Sequence, residues 1–222
     1  MRYVVPQAWA GGTCVILAGG PSLKGVDLKP LRGKVRVIAI NDSWQLAPWA
    51  DVCYFGDPPW WQMQQAQNPR SADGFLSFHD MIYKAFWVTI ANFGEHPQVH
   101  CLWSTGQRGL EANPTALRTG SNSGYATINL AYHYGAKRII LLGYDMQCRG
   151  AVTHWHNGPR EPAPLFSTLL NSFLTHFDSL VHPLRDAGVE VINSTPDSAL
   201  RCWPYLPLEE AIEKPWTLTT VG

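Results

Sequence analysis

Five short apolar runs, each stopping at a polar turn, restrict the folds open to this chain more than any other feature. They are TCVILA at 13–18, VRVIAI at 35–40, DVCYF at 51–55, RIILL at 138–142 and VEVIN at 189–193. Their length and β-branched content mark strands, and their near-continuous apolar character marks strands buried on both faces. Such strands belong in a parallel sheet, whose crossovers are usually helices, so the expected class is α/β. We expect a single Rossmann-like domain with a mostly parallel sheet and helices on both faces. The runs end at Gly19-Gly20-Pro21-Ser22, Asn41-Asp42-Ser43, Gly56-Asp57-Pro58-Pro59, Gly143-Tyr144-Asp145 and Ser194-Thr195-Pro196-Asp197-Ser198. Ligands of parallel α/β sheets bind at the carboxyl ends of the strands, so these turns form the first candidate site.

Between the strands the pattern predicts helices near 75–86, over 125–134 with a stop at Gly135, over 165–187 and at 207–214, with a further strand near 98–103. Segments 58–118 and 146–164 show little periodicity beyond these and are expected to serve as a lid or acceptor-binding insert. A chain of 222 residues suits one domain with a sizeable core. Its 17 basic and 17 acidic residues cancel, which argues against a disordered tail or a strongly basic nucleic-acid clamp. Charged residues make up only 15% of the chain, a thin charged coat compatible with a homo-oligomer. The five cysteines are odd in number and scattered, as expected for thiols in a reducing cytoplasm. No run is apolar enough to span a bilayer, and the first residues lack the apolar core of a signal peptide.

Several strand-end residues have side chains or backbone suited to a nucleotide. The turn Gly19-Gly20-Pro21-Ser22 is neither a Walker A loop nor a GxGxxG fingerprint, yet it can present N–H groups to a phosphate or serve as an ordinary strand-to-helix turn. TGSNSG at 119–124 is a second Gly/Ser turn opening a helix, where Ser121, Ser123 and the N–H groups around Gly124 can hold an anion or simply cap. Asn41, beside Asp42, has an amide that can bind a base or ribose, and Ser194 and Thr195 at the last strand end join this nucleotide-binding set. Asp57 and Asp145 are caps or ligands for Mg2+ near phosphates. His154 and His156, flanking Trp155 in a Gly/Pro-rich loop, suit proton transfer. Trp60, Trp61 and Trp155 are core residues or stacking platforms for a sugar or base.

Taken together, AGGPSL after the first strand, the Asn41 strand end, TGSNSGY, KRIILLGYDM and NSTPDSAL resemble the bacterial sialyltransferase-like superfamily. That group includes enzymes that use CMP-sialic acid, a branch described as 6-hydroxymethylpterin pyrophosphokinase-like, and uncharacterised members in tailed-phage genomes. The resemblance covers about 13–57 and 119–210. It implies that the backbone of Gly20, Pro21 and Ser22 faces the nucleotide phosphate, that Asn41 contacts the nucleoside, and that Ser123 and Gly124 lie beside phosphate and ribose. It also aligns Asp197-Ser198-Ala199-Leu200 with a late Asn-Ser-Ala-Leu segment and makes His154 or His156 the lid histidine that acts as general base. One departure is that Gly19 follows Ala18 where the sialyltransferases have Asn between two glycines.

The function implied is a nucleotide-sugar-dependent glycosyltransferase acting on an acceptor hydroxyl of a glycan or a modified DNA base. Its rivals are an ATP/Mg-dependent pyrophosphokinase and a non-catalytic nucleotide-binding phage protein. A duplex DNA acceptor would call for a local basic patch, and the candidates are Lys24, Lys29, Arg32, Lys34 and Arg36, and Lys137 with Arg138.

Overall fold

In the computed structural model, which describes residues 2–91, 96–156 and 162–215, the five apolar runs become strands of one parallel sheet. They are β1 (Thr13–Leu17), β2 (Arg36–Ile40), β3 (Val52–Phe55), β8 (Arg138–Leu142) and β9 (Glu190–Asn193). Two further strands, β4 (Trp87–Thr89) and β5 (Val99–Cys101), extend the sheet to seven in the order β5-β4-β3-β2-β1-β8-β9. Every pairing is parallel. The chain order reverses direction about β1, which has β2 on one side and β8 on the other. A doubly wound sheet opens a crevice at such a switch point, above the carboxyl ends of the strands.

Burial on both faces follows from the alternation of side chains along each strand. Cys14 and Ile16 of β1 point into one core layer with Ile38, Tyr54 and Ile139. Val15 and Leu17 point into the opposite layer with Val37, Ile140, Leu142 and Ile192. Helix α3 (Ser123–His133) and the carboxyl half of α4 (Ala163–Asp186) cover the first layer, the latter through Phe177, Leu180 and Leu184. The other layer is covered by Leu23, Leu28 and Leu31 from short 3-10 turns and their connection, and by Ala211 of α5 (Leu208–Glu213). Residues 125–131 of α3 are all buried, so this helix is a core element. Burial pushes the Cys53 thiol up to about 12 and the Cys14 thiol upward, so both pack as small apolar groups.

Segment 58–118 divides in two. Its first part holds α1 (Pro58–Gln67), α2 (Phe78–Lys84) and the strands β4 and β5, which belong to the main sheet. Here Trp60, Trp61, Phe78 and Trp87 pack around Phe55, with the Trp61 and Trp87 ring centroids 5.2 Å apart at 90°. Trp60 and Trp61 are therefore core residues and do not stack on a ligand. The second part forms a small parallel ribbon of β6 (Trp103–Gly106) and β7 (Ala116–Arg118). Segment 146–164 lies partly outside the described residues. Among the described residues no helix is long and apolar enough to cross a membrane.

Lys137 and Arg138 do not form a basic surface. Lys137 Nζ donates to the Ala187 carbonyl, and Arg138 is only 2% exposed. Arg138 pairs with Glu190 at 2.7 Å and donates to the Lys214 carbonyl at 2.6 Å, tying β8, β9 and the end of α5 together. Arg138→Ala removes one of the two cations on Glu190 and the donor to the Lys214 carbonyl, and is expected to lower the unfolding free energy by about 3 kcal/mol in urea titration. Burial works against the Glu190 charge, but hydrogen bonds from Lys214 and Arg138 outweigh it and hold the carboxyl below its ordinary value. A folded value below the unfolded one adds stability above the ordinary carboxylate range and loses it as pH falls through the folded value. Urea midpoints measured from pH 7 to pH 3 should therefore fall less steeply for Glu190→Gln than for the parent.

Candidate active site

The crevice above β1, β2 and β8 holds a cavity of about 290 Å3. Its floor is made by strand ends: Gly19 to Pro21 after β1, Asn41 and Asp42 after β2, Asp57 after β3, and Gly143 to Gln147 after β8. Residues Ser121 to Gly124 at the start of α3 form one wall. Thr153, His154 and His156 from the loop after β8 form another, and Phe166, Leu170 and Phe173 of α4 form an apolar rim. Of the residues expected from sequence, Gly19, Gly20, Pro21, Asn41, Asp42, Asp57, Ser121, Ser123, Gly124, Asp145, His154 and His156 meet here.

Asp145 organises the first turn. It is only 2% exposed and accepts hydrogen bonds from the Ser22 N–H at 3.2 Å and the Ser22 hydroxyl at 2.6 Å. Arg149 Nε stands 3.3 Å from the same carboxylate. A buried carboxylate needs such partners, because its lost hydration is otherwise uncompensated. A Cβ on Gly20 would overlap the Asp145 carboxylate and the Gly143 carbonyl, which explains the glycine.

The turn itself therefore offers little to an anion. The Gly20 N–H donates to the Gly143 carbonyl, Pro21 has no N–H, and the Ser22 N–H serves Asp145. Ser22 does not line the cavity, whereas Gly19, Gly20 and Pro21 do. Asp145 is likewise committed to Ser22 and Arg149, and among the described residues no group of three or more His, Cys, Asp or Glu side chains is placed to hold a metal ion.

The start of α3 is different. Asn122, not Ser121 or Ser123, is the N-cap, its Oδ1 accepting from the Tyr125 N–H at 2.8 Å. The Ser123 and Gly124 N–H groups lie at the first two helical positions, where a helix has no internal acceptor, and both residues face the cavity. The helix dipole adds positive potential at the same place. Tyr144 fixes this end from below: its buried hydroxyl donates to the Gly124 carbonyl at 3.0 Å, and its N–H donates to Thr195 Oγ1 at 2.9 Å. Ser194 and Thr195 thus lie behind the site, 3% and 1% exposed, and do not line it. Both were expected to bind nucleotide, but the β9 end is covered by the chain that follows, which places Ser198 Oγ against the Tyr144 carbonyl.

Asn41 adopts a left-handed backbone at φ 48°, which asparagine tolerates better than most residues. Its side-chain Oδ1 is buried without a hydrogen-bond partner in the protein, at the cavity wall. A buried unpaired carbonyl oxygen is costly, and a ligand donor would satisfy it. Across the cavity His154 Nδ1 lies 2.9 Å from Thr153 Oγ1, and its ring packs against Phe166 at 4.8 Å between centroids. His156 Nε2 lies 3.5 Å from Asp42 Oδ2. Trp155 faces away, its indole N–H donating to Ser43 Oγ, so it is a strut and not a stacking platform. The Asn122 cap was open to sequence reading as one of three adjacent cap-formers, whereas the Asp42–His156 contact carries no local signal.

No family model and no curated protein matches this sequence. Among solved structures the chain is similar to the sialyltransferase CstII from Campylobacter jejuni, determined in complex with a substrate analogue, cytidine-5'-monophosphate. The two share 13% identity at a TM-score of 0.53, over 89% of this chain and 85% of that one. The likeness establishes the fold, a Rossmann-like α/β sheet of the sialyltransferase kind.

Removing the α3 cap should loosen the wall that carries Ser123 and Gly124. Asn122→Ala is expected to cost about 1 kcal/mol of stability in chemical denaturation. Faster hydrogen exchange of the first α3 amides should accompany it, and unchanged exchange there would contradict the assignment.

Proposed function

We propose that the protein is a nucleotide-sugar-dependent glycosyltransferase that moves a glycosyl group to an acceptor hydroxyl. The observation that carries this reading is the pairing, within one cavity, of an unsatisfied Asn41 carbonyl oxygen with two acceptor-free N–H groups at the start of α3. The first suits the amino group of a base or a ribose hydroxyl; the second suits a phosphate. The fold shared with a sialyltransferase solved with cytidine-5'-monophosphate makes a cytidine nucleotide the first ligand to try.

The chemistry asked of the protein is modest. The bond from the anomeric carbon to the phosphate oxygen breaks, and the leaving nucleotide keeps the electron pair. The positive end of α3 stabilises that charge, with no lysine or arginine among the described lining residues. The acceptor oxygen bonds to the anomeric carbon and gives its proton to a histidine on the opposite wall, where His154 and His156 lie. The apolar rim of Phe166, Leu170 and Phe173 suits the carbon face of a sugar ring. The pyrophosphokinase reading gains no support from Asp145, whose carboxylate is already paired, and a glycan acceptor suits the site better than duplex DNA because the described lining residues include no lysine or arginine.

Thermal denaturation with CMP, a CMP-sugar, a UDP-sugar and ATP, each with and without Mg2+, tests the proposal. Stabilisation by CMP and the CMP-sugar is expected, and stabilisation by ATP with Mg2+ alone would overturn it. Asn41→Gly keeps the left-handed backbone accessible and removes the Oδ1 acceptor; it should weaken CMP binding at least ~10-fold in calorimetry. Turnover of the CMP-sugar to free CMP in the presence of acceptor would exclude a purely binding role.

A further inference from the structure

A second cavity lies at the opposite end of the sheet. It measures about 440 Å3 and sits at the first residues of β1 and β2, beside Thr13 and Arg36, with Asp51 just before β3. The length of these strands puts it about 15 Å from the crevice at their carboxyl ends. Three of the five basic residues that the sequence groups between 24 and 36 line it, namely Arg32, Lys34 and Arg36. Lys24 and Lys29 do not.

The segment that carries the three cations is folded to present them. Leu31, 1% exposed, anchors its start, and Gly33 turns the chain at φ 76°. Val35 and Val37 then pack into the core layer, which leaves the alternate side chains of Arg32, Lys34 and Arg36 exposed. The N–H groups of Arg32, Lys34 and Val35 are spent on the carbonyls of Lys29 and Leu31. Attraction for a ligand therefore falls to side chains here, in contrast to the crevice at the start of α3.

That positive charge is only partly met. Asp51 is the one carboxylate of the described lining; its Oδ1 accepts from Arg36 Nη1 at 2.7 Å and its Oδ2 from the Val37 N–H at 2.8 Å. These bonds orient the Arg36 guanidinium, whose side chain is still 53% exposed and keeps further donors. Among the described residues no carboxylate pairs with Arg32 or Lys34. Three cations against one carboxylate leave two positive charges at one cavity. Two tryptophans complete the wall: Trp9 is held by stacking on Tyr134 at 4.1 Å between centroids, and half-buried Trp49 rests against the layer of Val15 and Val37.

We infer that this cavity is a second ligand site and takes a phosphorylated small molecule, its phosphate on Arg32, Lys34 and Arg36 and its attached ring against Trp49. Guanidinium groups match phosphate oxygens in pairs, a lysine adds a point charge, and an indole suits a flat apolar face. The inference does not rest on the glycosyltransferase reading. A nucleic-acid strand fits less well, because it calls for a positive groove that tracks successive phosphates, whereas this chain carries no net charge and its exposed cations here converge on one cavity.

Amide NMR on the full chain, titrated with inorganic phosphate, pyrophosphate and phenyl phosphate at constant ionic strength, tests the inference. Saturable shifts are expected at Gly12, Asp51 and residues 33–36, with phenyl phosphate binding at least ~3-fold more tightly than inorganic phosphate. The double substitution Arg32→Gln with Lys34→Gln alters only exposed side chains. It should preserve the fold, weaken these titrations at least ~10-fold, and leave any shifts at Ser123 and Gly124 as in the parent. Shifts confined to Ser123 and Gly124, no saturation by ~20 mM, or equal affinity in the double variant would overturn the inference. So would a single-stranded oligonucleotide or a phosphatidylserine vesicle that binds through Arg32 and Lys34 at least ~10-fold more tightly than phenyl phosphate.

Discussion

The crevice depends on one buried carboxylate, that of Asp145 at the end of β8. Two central strands of a parallel sheet end side by side, and the turns that follow them diverge unless something holds them together. Asp145 does so by accepting both the N–H and the hydroxyl of Ser22 from the turn after β1. The approach is so close that only glycine fits at position 20. The same bonds remove most of that turn from the pool of anion donors, because an N–H already paired inside the protein gains nothing from a phosphate. The task passes to α3, whose first N–H groups have no internal acceptor and whose position is set by Tyr144, the residue next to Asp145.

This arrangement explains how a chain with no net charge can offer an anion site. Among the described residues the cavity lining has three aspartates and no lysine or arginine. Asp145 is paired with Arg149, and Asp42 lies beside His156. Asp57 sits exposed at the N-cap of α1. On the proposed reading, attraction for a nucleotide comes from oriented N–H groups and the α3 dipole, which act at short range and need no excess of basic residues. A site of this kind suits a single phosphate better than a polyanion, which fits a nucleoside monophosphate as leaving group.

Much of this architecture was legible in the sequence. Strands buried on both faces announce themselves by unbroken β-branched runs, so β1, β2, β3, β8 and β9 were readable within a residue or two. Strand β5 lies within the one expected near 98–103, whereas β4, only three residues long, was too short to be read from its apolar pattern. Trp60 and Trp61 looked like loop residues because the helix that carries them opens with two prolines and has mixed polarity. What made them core is the aromatic cluster around Phe55, a long-range fact. At the site, most lining residues were recoverable because they follow strands. Their division of labour was not. Ser22, Ser194 and Thr195 are polar residues at strand ends like Asn41, and only the three-dimensional partners separate those that hold the scaffold from those that face the ligand. The Asp42–His156 contact joins two turns far apart in the chain and could not be read from either.

The most direct test of the account is the difference density of a crystal soaked with CMP. The phosphate should lie against the N–H groups of Ser123 and Gly124, with the base or ribose donating to Asn41 Oδ1. A phosphate bound instead on the Gly19-Gly20-Pro21 turn, or a nucleotide found outside this crevice, would contradict it.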